Sequence, residues 1–93
     1  MRDFYRELGR IISQKRKGTH LNQAALGGKV GLSRTSITNI ECGRQQVAVH
    51  MLYELANALG VEPHELLPAK KFLQKEKVLR LDERHIPHEW PTH

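Results

Sequence analysis

Residues 21–43, LNQAALGGKVGLSRTSITNIECG, decide the fold of this chain. They read as two short helices joined by a tight turn, the second helix being polar on one side. Gly27 is small, so a second helix can cross close to the first at that point. Gly31 ends the first helix at a position where φ > 0 is often needed and glycine adopts it without steric cost. Ser33 is a good N-cap for the helix that follows. Ile37 and Ile40 are three residues apart and share an inward face, which leaves Arg34, Thr35, Thr38 and Asn39 on the outer one. A helix held by its apolar side in this way presents its polar side to whatever approaches the surface.

Working outward, Asp3 can cap a first helix over residues 3 to 17, in which Phe4, Leu8, Ile11 and Ile12 recur at helical spacing. Gly18 marks its end and Thr19-His20 connects it to a second helix over residues 22–30, with Asn22 as N-cap and Leu26 and Val30 inward. The third helix runs from Arg34 to Cys42 and stops at Gly43. After a loop through Arg44, Gln45, Gln46, Val47 and Ala48, a fourth helix spans Val49 to Leu59, with Leu52, Leu55, Ala56 and Leu59 on one face and Gly60 as its stop. A short fifth helix is expected with Pro63 in its first turn and Leu66 and Leu67 buried. Pro68 closes the unit. The expected fold is therefore all-α, a five-helix bundle over residues 1–68 with a C-terminal tail over residues 69–93.

The chain has 93 residues, enough for one small domain that buries about 60% of its unfolded surface. Its formal charge of +5 is placed unevenly: residues 1–60 carry nine Lys/Arg and four Asp/Glu, and residues 61–93 carry six of each. The whole basic excess lies with the two-helix motif, which favours a polyanionic partner. There is no run of 18 apolar residues, so no membrane span is expected, and the charged N-terminus MRDFYRELGR does not resemble a secretory signal. The single cysteine, Cys42, excludes an intramolecular disulfide and fits a reduced, cytoplasmic setting.

Residues 8–67 resemble the Cro/repressor type of helix-turn-helix, the XRE family of bacterial and phage regulators. The stretches LNQAALGGKVGLSRTSITNIECGR and LYELANALGVEPHELL carry the resemblance, at family spacing. It implies a lambda-repressor-like bundle that binds double-stranded DNA as a homodimer on a palindromic operator, with the third helix as the reader. Arg34, Thr35 and Asn39 then stand at base-reading positions, supported by Thr38. Arg34 can donate two bonds to guanine, Asn39 can pair with adenine, and Thr35 can pack its methyl on thymine. Gln23, Asn22, Ser36, Arg44 and Gln45 or Gln46 match phosphate-contacting positions. Arg16 and Glu41 match a structural ion pair between the first and third helices. A dimer surface is expected from the fifth helix and the tail, with Leu66, Leu67, Phe72 and Val78 as candidates. Repression of a promoter, including the protein's own, follows from the family.

Other chemistries fit less well. Gly27-Gly28 lies inside a helix and lacks the Lys-Ser/Thr of a phosphate-binding loop. His20, His50, His64, His85, His88 and His93 show no pair at i, i+4 on one helix face, so no metal site and no cofactor is expected. No nucleophile stands at a recognisable spacing from a base, so the chain is not expected to be an enzyme. The tail, KKFLQKEKVLRLDERHIPHEWPTH over residues 70–93, is too apolar for a purely solvated end. It is read as extending the dimer interface, because apolar side chains need a partner surface. The alternatives are binding a toxin or a protease, as an antitoxin-type regulator would, or forming a flexible end. A restriction–modification controller is the other rival with the same fold.

The two arginines at this surface are expected to fail differently. Arg34→Ala should cost roughly 1–3 kcal/mol on the preferred duplex and relax preference at one base pair. Arg44→Ala should weaken binding to all sequences alike and lower the salt slope by about one. Affinities measured on matched and mismatched duplexes at several salt concentrations separate the two.

Overall fold

The computed structural model describes residues 2–73. Among the described residues the structure is wholly helical. Four α-helices, α1 (Arg2–Gly18), α2 (Gln23–Val30), α3 (Arg34–Glu41) and α4 (Val49–Leu59), are followed by two single 3-10 turns, Pro63–Leu66 and Lys70–Phe72. The tail readings that fall on residues 74–93, Val78 included, lie outside the described residues.

One apolar core joins the elements. Leu8 and Ile12 of α1, Leu26 and Val30 of α2, Ile37 and Ile40 of α3, and Leu55, Ala56 and Leu59 of α4 meet Leu66. Ile12, Leu26, Ile37, Leu55 and Leu66 are sealed from solvent, and each contributes roughly 2 kcal/mol of apolar burial. Phe4, Ile11 and Leu52, on the edges of the same apolar stripes, are only half-buried.

Local signals set the helix limits. Asn22 caps α2, its side-chain oxygen accepting from the Ala25 N–H at 2.7 Å, and Ser33 caps α3 by accepting from the Ser36 N–H at 3.0 Å. Gly31, at φ 75°, closes α2 in the left-handed region. Asp3 lies inside the first turn of α1, where its negative charge suits the helix N-terminus. The left-handed residue after α1 is not Gly18 but His20, at φ 63°.

Two expectations are corrected. The fifth helix is a single 3-10 turn, so the bundle has four α-helices. Pro68 explains this: the residue before a proline is driven out of the helical region, and Leu67 is extended at φ −79°, ψ 132°. Leu67, expected to be buried, is in consequence 49% exposed, while Leu66 beside it faces the core.

Two glycines let the helices approach closely. A Cβ on Gly27 would lie 2.4 Å from the Leu32 carbonyl oxygen, where the chain turns into α3. A Cβ on Gly9 would lie 2.3 Å from the Ile40 carbonyl oxygen, so α1 rests directly on the last turn of α3. Gly28, next in sequence, has open space around it. Gly27→Ala should therefore destabilise by roughly 2–3 kcal/mol, because backbone must move. Gly28→Ala should stabilise by about 0.5–1 kcal/mol through helix propensity alone, raising the melting temperature by several degrees. Thermal melts of the two variants check this opposition between adjacent residues.

Candidate nucleic-acid interface

The outer side of α3 is built by default from what the inner side does. Ile37 and Ile40 are 0% and 2% exposed, which fixes the rotation of the helix about its axis. Arg34 and Thr35 are consequently exposed, and Ser36, Thr38 and Asn39 are half-buried at the flanks. The Ser33 cap anchors the N-terminal end, so the candidate base-reading positions sit on a helix held at its start and along its buried side.

Its far end is held by a polar network. Arg16 of α1 donates to both carboxylate oxygens of Glu41, Nε to Oε2 at 2.7 Å and Nη2 to Oε1 at 3.0 Å. The two side chains are 10% and 7% exposed. The remaining Nη1 of Arg16 donates to the Leu21 carbonyl at 2.9 Å. Two-point arginine–carboxylate pairing is both strong and geometrically specific. The pair therefore sets the relative placement of α1, the chain entering α2, and the end of α3.

Gln23, the first residue of α2, extends the network towards the surface. Its amide Nε2 donates to Glu41 Oε1 at 2.9 Å, and its Oε1 accepts from the Thr38 hydroxyl at 2.9 Å. The same hydroxyl lies 3.0 Å from the Arg34 carbonyl oxygen. The family resemblance implies a phosphate contact for Gln23, and the structure gives it this internal role as well. A signal was present: Thr38 and Glu41 are three residues apart and so share one side of α3, a side polar enough to need a polar partner.

The other phosphate candidates are arranged as follows. Asn22 spends its side-chain oxygen on the α2 cap. Ser36 Oγ lies 3.3 Å from the Ser33 hydroxyl that donates to it. Arg44 Nη1 donates to Asn39 Oδ1 at 3.1 Å, so a candidate phosphate contact and a candidate base reader are already paired with each other. The second lone pair of Oδ1 and the Asn39 NH2 remain for a base edge. Gln45 is half-buried in the loop that follows. Away from this surface, on α1, a hydrogen bond from Arg10, opposed by burial and aided by the charges of Arg10 and Lys71, holds the Glu7 carboxyl below its ordinary range.

Of the candidate dimer residues, Leu66 is corrected: it is sealed within the protomer's own core and offers no surface. Leu67 is exposed and Phe72 half-buried. Among the described residues no group of three or more His, Cys, Asp or Glu could hold a metal ion, and no helix is long and apolar enough to cross a membrane.

Residues 12–66 match the helix-turn-helix family model. The chain belongs to that family, the XRE type of helix-turn-helix. Over 57 residues it is 33% identical to the ImmF control region 10 kDa protein of Bacillus phage phi105, covering 61% of this chain. The chain spans 39% and 63% of the lengths of two curated relatives that it matches, the latter being the phage protein. Among solved structures it resembles the restriction–modification controller protein C.AhdI from Aeromonas hydrophila, with TM-score 0.66 and 30% identity over 68% of this chain and 96% of that one. It also resembles the P22 c2 repressor, solved in complex with a synthetic operator, with TM-score 0.61 and 35% identity over 64% of this chain and 91% of that one.

Glu41→Ala should be among the most damaging single changes outside the apolar core. It leaves the Arg16 guanidinium enclosed with only a carbonyl and costs about 3 kcal/mol or more. Chemical denaturation reads the loss. The double change Arg16→Met, Glu41→Leu should recover most of it, since well-packed apolar pairs often replace buried ion pairs at little cost.

Proposed function

We propose that this chain is a sequence-specific repressor that acts as a homodimer on a palindromic operator. The observation that carries the reading is the exposure of Arg34 and Thr35 on a helix whose opposite side is sealed into the core. Arg34 reads guanine through O6 and N7, Asn39 reads adenine through N6 and N7, and Thr35 packs on a thymine methyl. Arg44, Ser36, Gln45 and the N-terminus of α2, with Asn22 and Gln23, hold the flanking phosphates. The pairing of Arg44 with Asn39 ties the phosphate grip to the reading residue beside it.

Dimerisation follows from information content. One recognition helix spans about 4–5 base pairs, too few to single out a site in a genome, and two copies about 34 Å apart double that information. Leu67, Phe72 and the tail that follows supply the partner surface. Leu67 and Leu73 are both close to half exposed, which supports a surface that is covered in the dimer. Bound across a promoter, the dimer represses by occluding polymerase, and the gene controlled includes its own.

A restriction–modification controller is the second reading. The likeness to C.AhdI, which extends over nearly all of that protein, favours it. An antitoxin-type regulator, whose tail binds a toxin or protease, uses the same DNA-binding bundle with a different role for residues 69–93.

Selection of bound duplexes from a random pool tests the proposal. The expected result is two inverted half-sites with centres about one helical turn apart. A single unrepeated half-site would contradict the dimer, and enrichment of no sequence would contradict base reading by α3.

A further inference from the structure

We infer that Thr38 shows DNA one fixed hydrogen-bonding character: the Gln23 amide, held by the buried ion pair, and the Arg34 carbonyl both claim its proton, so the Thr38 oxygen is an acceptor that selects a base amine. The inference rests on α3 being the reading helix.

Donors and acceptors alternate along one chain of contacts. Glu41, gripped by the Arg16 guanidinium through both oxygens, offers acceptors only. Gln23 approaches Glu41 Oε1 at 2.9 Å and must present its NH2 there, because its carbonyl oxygen would face a carboxylate. The amide therefore cannot turn over, and its oxygen is aimed at Thr38. A hydroxyl 2.9 Å from an amide oxygen must donate. The second inward neighbour of that hydroxyl, the Arg34 carbonyl at 3.0 Å, is also an acceptor. The one proton of Thr38 is thus committed inward by both neighbours, and its outward lone pairs remain.

A threonine hydroxyl is ordinarily an ambiguous reader, since it rotates to donate or accept as the base requires. Here that ambiguity is removed. The major-groove partners left are the amines, adenine N6 and cytosine N4; guanine O6, thymine O4 and purine N7 are acceptors and are refused. Gln23, held by Glu41 and Arg16, is a positioning residue beside the Arg34 carbonyl and touches no base itself.

The test uses the full chain and the duplex selected from a random pool. Affinities are measured on that duplex and on analogues lacking one group: purine for adenine or 2-pyrimidinone for cytosine, which lack the amine, and 7-deazapurines, which lack N7. At one position per half-site, removing the amine should weaken wild-type binding by about five- to tenfold. The same removal should have little effect on Thr38→Val. Thr38→Ser keeps the hydroxyl beside the Arg34 carbonyl and should retain the amine effect. The inference is overturned if the position sensitive to Thr38→Val responds to N7 removal and not to amine removal. It is equally overturned if Thr38→Val leaves every analogue penalty unchanged, or if Thr38→Ser loses the amine effect. If wild-type protein enriches no sequence at all, the reading by α3 on which the inference rests has failed instead.

Discussion

The two-point contact between Arg16 and Glu41 is the constraint on which the rest of the candidate DNA-binding surface depends. Apolar packing of Ile37 and Ile40 decides which side of α3 faces out, but apolar contacts are non-directional and tolerate small rotations and slides. A guanidinium–carboxylate fork does not. It fastens the last turn of α3 to the end of α1, and the third nitrogen of Arg16 fastens the entry to α2 at Leu21. Such a pair adds little net stability compared with apolar residues of the same volume. Its value lies in geometry: a base-reading side chain must be placed to within a fraction of an ångström, and the pair fixes the helix that carries it.

The close approach at Gly9 makes the fork reachable. With α1 lying against the Ile40 carbonyl, the last turn of α1 falls beside the last residue of α3, and Arg16 meets Glu41 without stretching. Gly27 does the same for α2 against the turn into α3. Packing of backbone on backbone, apolar burial and one enclosed ion pair thus converge on the same helix. Its outward residues, Arg34 and Thr35, are left exposed, as the proposed reading of a major groove requires.

Much of this is legible in the sequence. The caps at Asn22 and Ser33, the left-handed Gly31 and the inward isoleucines follow from short-range rules, which depend on a few neighbouring residues and so survive in the sequence. The long-range features were legible only in part. Gly9 interrupts a good helix former's run, a cost that signals a close contact, but nothing local says with what. The side-chain traffic was the least legible: Gln23 and Thr38 are 15 positions apart, and each looks like a residue for solvent or DNA until the fold sets them 2.9 Å from one another. The 3-10 turn at Pro63–Leu66 was misjudged for a local reason that was in view, since Pro68 forbids Leu67 from continuing a helix. That one constraint also turned Leu67 outward and left Leu66 inside.

The central claim is that the outward side of residues 34–39 meets base edges in the major groove. The most direct measurement is the set of intermolecular nuclear Overhauser effects in solution between the labelled protein and its selected duplex. The account predicts contacts from the methyl groups of Thr35 and Thr38 to major-groove base protons, among them thymine methyls and cytosine H5. Contacts confined to sugar protons, or arising from the outer face of α4 with none from α3, would contradict it.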